Sequence, residues 1–545
     1  MPNVVRLIGL YTAAALLAAC TRVGTSSIGN TRRPYTRPHE LRFAAASDIK
    51  GLNPLLGASV YETYLAQMTM AWLIKTDAHG DATVPELITE IPSQKNGGIS
   101  PDGKTITWHL RHGVTWSDGA PFNADDVVYS TNQVNNPANN VISRDGWEQI
   151  TKIDEPDKYT VVYHLKVPYS SFAVTFFSTG GANPSVLPKH LLASYSNLNQ
   201  IPYNSLPVGI GPFKYQAWNR GDSVVMVAND RYFRGRPKLD SVIYKTVQDK
   251  NTVLEQMRTH DLDMWTDVSP HYLPQLAAVA GLATIKIPSF TFDHVDFNLR
   301  SPILADLAVR KSLRFALNRP QIVDKVHNNL YLLDESPIVP ASRFHVNLPL
   351  VPFDLTQANK LLDADGWARG PGGIRAKNGR RLSLTFVLAT GQPDNDTIIE
   401  LIRNTWKQIG VDFGVKHYLD AQYFAPAAQG GILYGGKFDV ALFGWGEDTN
   451  EDLSNLYACY RFPPNGQNVM HWCDPAADAA MNAAKTSYDQ AFRKKELDMV
   501  QRAVYEQAPT VVLDVRQWLS AYNNDLRNWH PNAVAPFDDM MNVDI

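Results

Sequence analysis

The residues best suited to bind a ligand lie in one short stretch of the chain, FDVALFGWGEDTNED. Trp445 stands between Gly444 and Gly446, and Glu447 and Asp448 follow directly. Tryptophan offers a flat apolar face and one N–H donor, while carboxylates receive cationic groups through charge-assisted bonds of roughly 1.5–3 kcal/mol. The combination suits a ligand with an ammonium group and an apolar body. Taken alone, the stretch also fits a buried tryptophan beside a solvated acidic turn.

A strand must position these groups. The run 440–443 is continuously apolar, which predicts a short buried strand that ends where the glycines begin. Glycine at a strand end allows a ligand to approach the main chain closely. The sequence therefore predicts a binding surface at the mouth of this strand.

The composition limits the classes of function. The chain has 545 residues, is 44% hydrophobic and 19% charged, and carries a formal net charge of -3. These values predict a globular protein of several domains and argue against a nucleic-acid or anionic-membrane surface. The sequence contains no Gly-x-Ser-x-Gly, Walker or His-Glu-x-x-His motif, so we predict no enzyme. A glycosidase using Glu447 and Asp448 is a weak alternative, because paired catalytic carboxylates face each other about 5–9 Å apart.

The N-terminus has the pattern of an export signal. Arg6 precedes an apolar run, 7–17, that is too short to span a bilayer comfortably. The run ends in Leu-Ala-Ala-Cys, which resembles a bacterial lipobox, and predicts a signal peptide over 1–20 with lipidation at Cys20. An apolar cysteine in a simple signal peptide is the alternative. The polar segment 21–37 reads as a flexible tether.

Two cysteines remain in the exported chain, Cys459 and Cys473. A pair in an oxidising compartment favours a disulfide, here closing a loop rich in proline, glycine and asparagine. His471 beside them leaves open a metal or nucleophilic site, although the sequence has no further cysteine nearby. We predict the disulfide and no metal.

A longer motif carries a family resemblance. The line SPDGKTITWHLRHGVTWSDGAPFNADDVVYS contains Asn123, which is placed to cap a helix that begins at Ala124. It closely resembles the signature of solute-binding protein family 5, the extracytoplasmic receptors of peptide and nickel ABC importers. Further segments similar to that family follow in order over nearly the whole chain, at 207–213, 229–240, 298–319 and 353–367.

The resemblance implies a fold, and the alternation of strands and helices agrees with its α/β class. We expect a two-lobed periplasmic-binding-protein-like fold with an extra small domain in the first lobe and two crossing strands as the hinge. Lobe I would span 38–287 plus 512–545, with the small domain at about 57–174. Lobe II would span 288–511.

The resemblance also implies roles for the opening stretch. In this family an Asp after a strand and a Gly-Trp pair receives the α-ammonium of a peptide, and this role falls on Asp448. Gly444 and Gly446 would pair with the peptide main chain, and Trp445 would wall a side-chain pocket. Glu447 departs from the pattern, and either adds charge or points away.

The function implied is that of an extracytoplasmic receptor that captures peptides between two closing lobes and delivers them to an ABC permease and its ATPase. The expected protein is a lipid-anchored monomer of the cell envelope, with no cofactor and no nucleic-acid partner. Three alternatives stay open. The same receptor class could take a nickel chelate, haem or an oligosaccharide; the chain could be the glycosidase; or the fold could serve a signalling receptor or chaperone.

Overall fold

The strands account for most of the architecture that positions the site. A computed structural model describes residues 32–45, 49–57, 59–180, 184–391, 393–446 and 452–545. Within these ranges the chain forms eighteen strands. They are β1 (Glu40–Ala45), β2 (Ile74–Thr76), β3 (Ala82–Pro85), β4 (Thr105–His109), β5 (Ile150–Asp157), β6 (Thr160–Leu165), β7 (Phe213–Asn219), β8 (Ser223–Ala228), β9 (Ser241–Thr246), β10 (Met264–Thr266), β11 (Leu282–Phe297), β12 (Ala368–Arg369), β13 (Arg375–Lys377), β14 (Arg380–Arg381), β15 (Ser383–Ala389), β16 (Asp412–Tyr418), β17 (Val440–Gly446) and β18 (Thr510–Asn523).

The helices cover the faces of these sheets. The described ranges contain fourteen α-helices, several of a single turn. They are α1 (Val60–Thr69), α2 (Ala124–Asn135), α3 (Phe172–Thr175), α4 (Lys189–Leu192), α5 (Lys250–Arg258), α6 (Leu273–Ala277), α7 (Leu307–Phe315), α8 (Arg319–Lys325), α9 (Leu355–Ala364), α10 (Pro393–Gln408), α11 (Asp420–Tyr423), α12 (Ser454–Tyr457), α13 (Pro475–Thr486) and α14 (Gln490–Gln507). None of the described helices combines the length and the apolar character needed to cross a membrane.

One ten-stranded sheet runs through both lobes, in the order β16-β15-β17-β11-β18-β10-β1-β9-β8-β7. Its two longest strands, β11 and β18, pair antiparallel along their length, with a register shift between Pro288 and Phe292. The strand β17 pairs with one end of β11, and β10 pairs with the opposite end of β18. The two long strands therefore cross between two lobes, which confirms the predicted fold class.

The extra small domain has its own sheets and core. A three-stranded sheet, β4-β6-β5, and the pair β2-β3 enclose a core that includes Trp108, Trp116 and Trp147. Helix α2 starts as predicted, because the Asn123 side chain accepts from the Asp125 N–H at 2.9 Å and the helix carries a full capping box.

Apolar residues recur at helical spacing over 61–74, which predicts a helix there, but the helix in the structure is shorter. Helix α1 ends at Thr69, whose carbonyl accepts a hydrogen bond from the Gly211 N–H at 2.9 Å, and Met70 is extended. Ile74 then enters strand β2. Apolar residues at helical spacing did not reveal this boundary, because a strand in the core buries the same residue types.

The two lobes touch through the small domain. The Tyr488 hydroxyl, from the second lobe, accepts from the Tyr169 N–H at 3.2 Å and donates to the Gly103 carbonyl at 2.8 Å. The N–H of Ser170 donates to the Lys485 carbonyl at 3.0 Å. These bonds join the small domain to the second lobe, so the described arrangement has its lobes in contact.

Candidate functional site

Strand β17 is buried on both faces at its start and exposed at its end. Val440 and Leu442 pack in one apolar cluster, and Ala441 packs in another on the opposite face. This explains the continuous apolar run, because a strand covered on both faces has no polar side. Gly444 and Gly446 are exposed at the other end.

The two edges of β17 differ. One edge pairs with β11 along the whole strand, from Val440 opposite Phe297 to Gly446 opposite Thr291. The other edge pairs with β15 only at Val440 and Ala441, among the residues that the structure describes. Beyond that point the second edge has no strand partner in the described ranges.

Tyr423 marks where the pairing ends. Its hydroxyl lies 3.3 Å from the Val387 carbonyl and 3.1 Å from the Leu442 carbonyl, to which it donates. The Leu442 carbonyl therefore points to the second edge. Main-chain groups alternate along a strand, so those of Gly444 and Gly446 point to the same edge. An exposed, unpaired edge with two glycines is a template for another extended chain.

Trp445 lies half-buried between these glycines. Its register partner on β11 is Phe292, and it packs against a small cluster that contains Phe292, Val339 and Val515. The ring is thus anchored on the face opposite to Gly444. Phe443, on the same face as Trp445, meets the His294 ring at a centroid distance of 4.2 Å.

Glu447 and Asp448, the predicted carboxylates, lie outside the described residues, and so does Cys20. The description resumes at Asp452, whose carboxylate pairs with the Lys485 ammonium at 2.5 Å. Burial acts to raise the pKa of Asp452, but the Lys485 ammonium and the donors of Ser454 bring it below its usual value. Asp452 is therefore ionised at neutral pH and fixed to Lys485.

A charged pair that the sequence analysis missed lies directly against Gly444. The Nε and Nη2 atoms of Arg516 lie 2.9 and 2.6 Å from the two oxygens of Asp293. A Cβ atom at Gly444 would come within 2.7 Å of Arg516 Nη2 and 2.9 Å of Asp293 Oδ1. A side chain at this position would displace the guanidinium, so glycine allows the charged pair to lie against the strand.

Each member of this pair shifts the pKa of the other. Burial acts to raise the pKa of Asp293, but the Arg516 guanidinium lowers it overall. Burial acts to lower the pKa of Arg516, but the Asp293 carboxylate raises it. Both groups are therefore ionised at neutral pH. The Arg516 side chain is 43% exposed, whereas that of Asp293 is 12% exposed.

A second acid lies behind this pair. Asp514 has no exposed side-chain surface, and the nearest basic group is His327, whose Nε2 lies 3.3 Å from Asp514 Oδ2. Burial raises the pKa of Asp514 to about 6, against a smaller lowering by His327. The Tyr331 ring stacks on the His327 ring at 4.3 Å.

Asp293, His327 and Asp514 could hold a metal ion by donor type, since their ligand atoms lie within 4.8 Å of one another. However, Arg516 takes both oxygens of Asp293 and supplies the positive charge that a metal would bring. We interpret the group as an ion-pair network of the crossing strands. One signal in the sequence could have found part of it: Asp514 and Arg516 interrupt the apolar run that begins at 511.

The structure also describes the two cysteines of the predicted disulfide and the aromatic residues near β17. The sulfur atoms of Cys459 and Cys473 lie 2.12 Å apart, just beyond helix α12. Tyr423 is fully buried, whereas Phe424 is 42% exposed and meets Phe443 edge-on at 6.1 Å.

Comparisons with known proteins point to one family. The family model described as "Bacterial extracellular solute-binding proteins, family 5 Middle" matches residues 82–467, which is more than half of the chain. The chain is 24% identical to the oligopeptide-binding protein AppA of Bacillus subtilis over 514 residues, covering 92% of this chain and 91% of that protein. It is 26% identical to the glutathione-binding protein GsiB of Pectobacterium atrosepticum over 451 residues, covering 81% of this chain and 83% of that protein.

Among solved structures, NikZ from Campylobacter jejuni in complex with Ni(L-His) superposes with a TM-score of 0.76 at 23% identity. The superposition covers 94% of this chain and 100% of that one. It supports the two-lobed fold, and the match of the family model over most of the chain supports the family. This chain belongs to the bacterial extracellular solute-binding proteins of family 5.

Proposed function

We propose that this chain is the solute receptor of an ABC importer and that its ligands are peptides. The observation that carries the proposal is the open edge of β17, where exposed Gly444 and Gly446 follow a carbonyl already capped by Tyr423. A peptide main chain can add there as an extra strand, whatever its side chains. The names of AppA and GsiB, which are peptide- and glutathione-binding proteins, support the same ligand class.

The free amino terminus of the peptide is the second element of the proposal. We assign it to Asp448, two residues after the last glycine of the strand, with Glu447 adding negative charge and Trp445 bordering a side-chain pocket. Asp448→Ala should then weaken binding of free-amino peptides at least tenfold and leave their N-acetylated forms unchanged. Glu447→Ala is the matched control and should have a smaller effect. Equal losses for both peptide forms would make Asp448 structural.

Ligand capture needs no chemical step. A solute that touches both lobes stabilises the closed form by its differential affinity for that form, and the closed receptor then docks on a permease. The contact between Tyr488 and the small domain supports closure as an accessible state. The lobe boundaries stated from the sequence stay predictions.

The identity of the ligand is open to a direct experiment. The receptor, purified from its native host without denaturation, should release peptides on acid treatment, detectable by mass spectrometry. Recovery of a nickel chelate, haem or a sugar in stoichiometric amount, with no peptide, would overturn the proposed ligand class and leave the receptor class standing.

Anchoring and assembly complete the proposal. We propose a signal peptide that is removed before Cys20, a lipid on that cysteine, and a monomer held at the outer face of a membrane beside the permease and ATPase. Intact mass of the mature chain from the membrane fraction should show a diacylglyceryl adduct. Cys20→Ala should move the receptor to the soluble fraction.

We also propose that Cys459 and Cys473 form a disulfide. The support is that the structure brings the two cysteines, 14 residues apart in the sequence, side by side. Closing a loop of that size contributes on the order of 3 kcal/mol in the chain-entropy model. Alkylation before and after reduction, read by mass, should find both thiols protected until reductant is added.

A further inference from the structure

We propose that Arg516 is a ligand-binding residue and that the ligand it selects carries a carboxylate beside Gly444. The inference rests on the proposed function, because it places the peptide on the open edge of β17. It adds a chemical requirement that neither the family nor the names of the relatives states.

Arg516 has hydrogen-bond donors that no described residue uses. A guanidinium has five N–H donors in a rigid fork. Asp293 takes Nε and one donor of Nη2, and Arg516 makes no other side-chain hydrogen bond among the described residues. The outer fork, formed by Nη1 and the second N–H of Nη2, is left for a partner. That fork matches a carboxylate, which it binds through two parallel bonds.

Arg516 also lies beside the edge of β17 where the peptide is placed. The guanidinium lies against Gly444, one of the two exposed glycines of the edge where the peptide is placed, and the side chain is 43% exposed. Asp293 holds it there through two bonds, which lowers the entropy lost when a ligand binds. Arg516 is thus oriented before the ligand arrives.

The charged groups around Arg516 determine the side from which a ligand carboxylate can approach. The groups facing Arg516 are Asp293 on β11, Asp514 on β18, and Tyr331 in the segment that follows α8. His327 lies beside Asp514 and stacks on Tyr331. Asp293 neutralises Arg516 from the buried side, and Asp514 has no exposed surface. A ligand carboxylate would therefore approach from the solvent side, opposite to both acids.

The chain itself contains a guanidinium that holds two acids. Arg236, 47% exposed, donates through Nε to Asp230 at 3.0 Å and through Nη2 to Asp240 at 2.5 Å. A second carboxylate on Arg516 would repeat that arrangement. Arg236 therefore also provides a matched control for substitution.

The experiment uses the full receptor and three pools of random tri- to pentapeptides with free amino termini. The first pool has free C-termini and no acidic residue. The second is C-terminally amidated and contains one Asp or Glu, and the third is amidated with Asn or Gln instead. Peptides retained by the receptor are quantified by mass spectrometry.

Wild type should retain the first or the second pool at least about tenfold over the third, since a charge-assisted pair of bonds is lost in the third. Preference for the first pool assigns the carboxylate to the C-terminus, and preference for the second assigns it to a side chain. Arg516→Gln should reduce the preference to within about twofold, whereas Arg236→Gln should leave it unchanged. Arg516→Lys, with charge but no fork, should fall between them.

Asp293→Asn combined with Arg516→Gln covers the case in which the single variant does not fold, because it removes the unpaired buried acid as well. Equal retention of all three pools by wild type, or an unchanged preference in a folded Arg516→Gln or double variant, would overturn this inference and leave the peptide receptor standing. Retention of no pool by wild type would overturn the proposed function, and this inference with it.

Discussion

Two arginine–carboxylate networks border strand β18, and they differ in how far their arginines are buried. In the buried network, defined by Arg314, Arg319 and Glu335, both arginines pair with one glutamate that is 1% exposed. Arg319 also donates to the carbonyls of Asp334 and Val512, both at 2.8 Å. In the open network, defined by Asp293, Arg516, Asp514 and His327, Arg516 is 43% exposed and donates to one residue among those described.

The difference separates stability from binding. A buried ion pair holds a fold together once formed, and removing one partner leaves an uncompensated charge. A network with spare exposed donors and a buried acid without a full set of donors costs stability, and natural chains keep such arrangements at functional sites. The buried network fastens the second lobe to β18, whereas the open network faces the edge where we place the ligand.

The largest expected effect comes from breaking the buried network. Glu335→Ala should lower the free energy of unfolding by about 3–5 kcal/mol, because two buried guanidinium groups lose their partner. Urea titration followed by tryptophan fluorescence measures it. Glu400→Ala, which removes a surface glutamate paired with Arg403 at 3.2 Å, is the control and should match wild type. A comparable loss in both variants would remove the distinction between buried and exposed pairs.

The next largest effect comes from the titration of Asp514 in the open network. The pKa of Asp514 is raised to about 6, above its ordinary value of 3.8, so the folded protein binds this proton more tightly than the unfolded chain. Wild type should therefore gain stability relative to Asp514→Asn as the pH falls through 6, by an amount on the order of 2 kcal/mol. The gain is lost again as the pH rises through 6.

Asp293 titrates with the opposite sign, because its pKa is lowered, so its own contribution changes mainly below about pH 4. Unfolding at a series of pH values between about 4 and 8 tests the prediction. A difference between the two proteins that does not change with pH would show that Asp514 stays ionised throughout, held by His327.

A smaller effect tests the space at Gly444. Gly444→Ala brings a Cβ to 2.7 Å from the Arg516 guanidinium, and should lower the free energy of unfolding by about 1–2 kcal/mol. Gly446→Ala is matched in sequence and strand but has its nearest neighbour at 3.8 Å, so it should be close to neutral. Thermal melting of both variants gives the comparison, and equal melting temperatures would place the guanidinium away from the strand.

The smallest effect concerns the cap of the open edge. Tyr423→Phe removes the hydroxyl that serves the Val387 and Leu442 carbonyls, and should cost about 1 kcal/mol. Tyr460→Phe, at a tyrosine that is 47% exposed and donates to Asn482, is the control and should change little. Loss of peptide affinity in Tyr423→Phe without loss of stability would indicate that the hydroxyl contacts ligand.

Much of the fold could be predicted from the sequence because its signals are local. The cap at Asn123, the apolar run of β17 and the family motif each occupy a few consecutive residues. The end of α1 could not be predicted, because Gly211 stops the helix from a distant part of the chain. The open network could not be predicted either, since Asp293 and Arg516 are 223 residues apart.

The amino-acid sequence by itself was enough to predict the α/β class and the strand at which a ligand is expected, since these follow from the alternation of elements and one apolar run. The family and its two-lobed fold came from the resemblance of a long motif. Tertiary structure alone decided which edge of β17 is open and what lies against Gly444. The physical reason is register: the pairing of β11 with β18, including its shift after Pro288, sets which distant side chains meet, and local sequence does not encode that alignment.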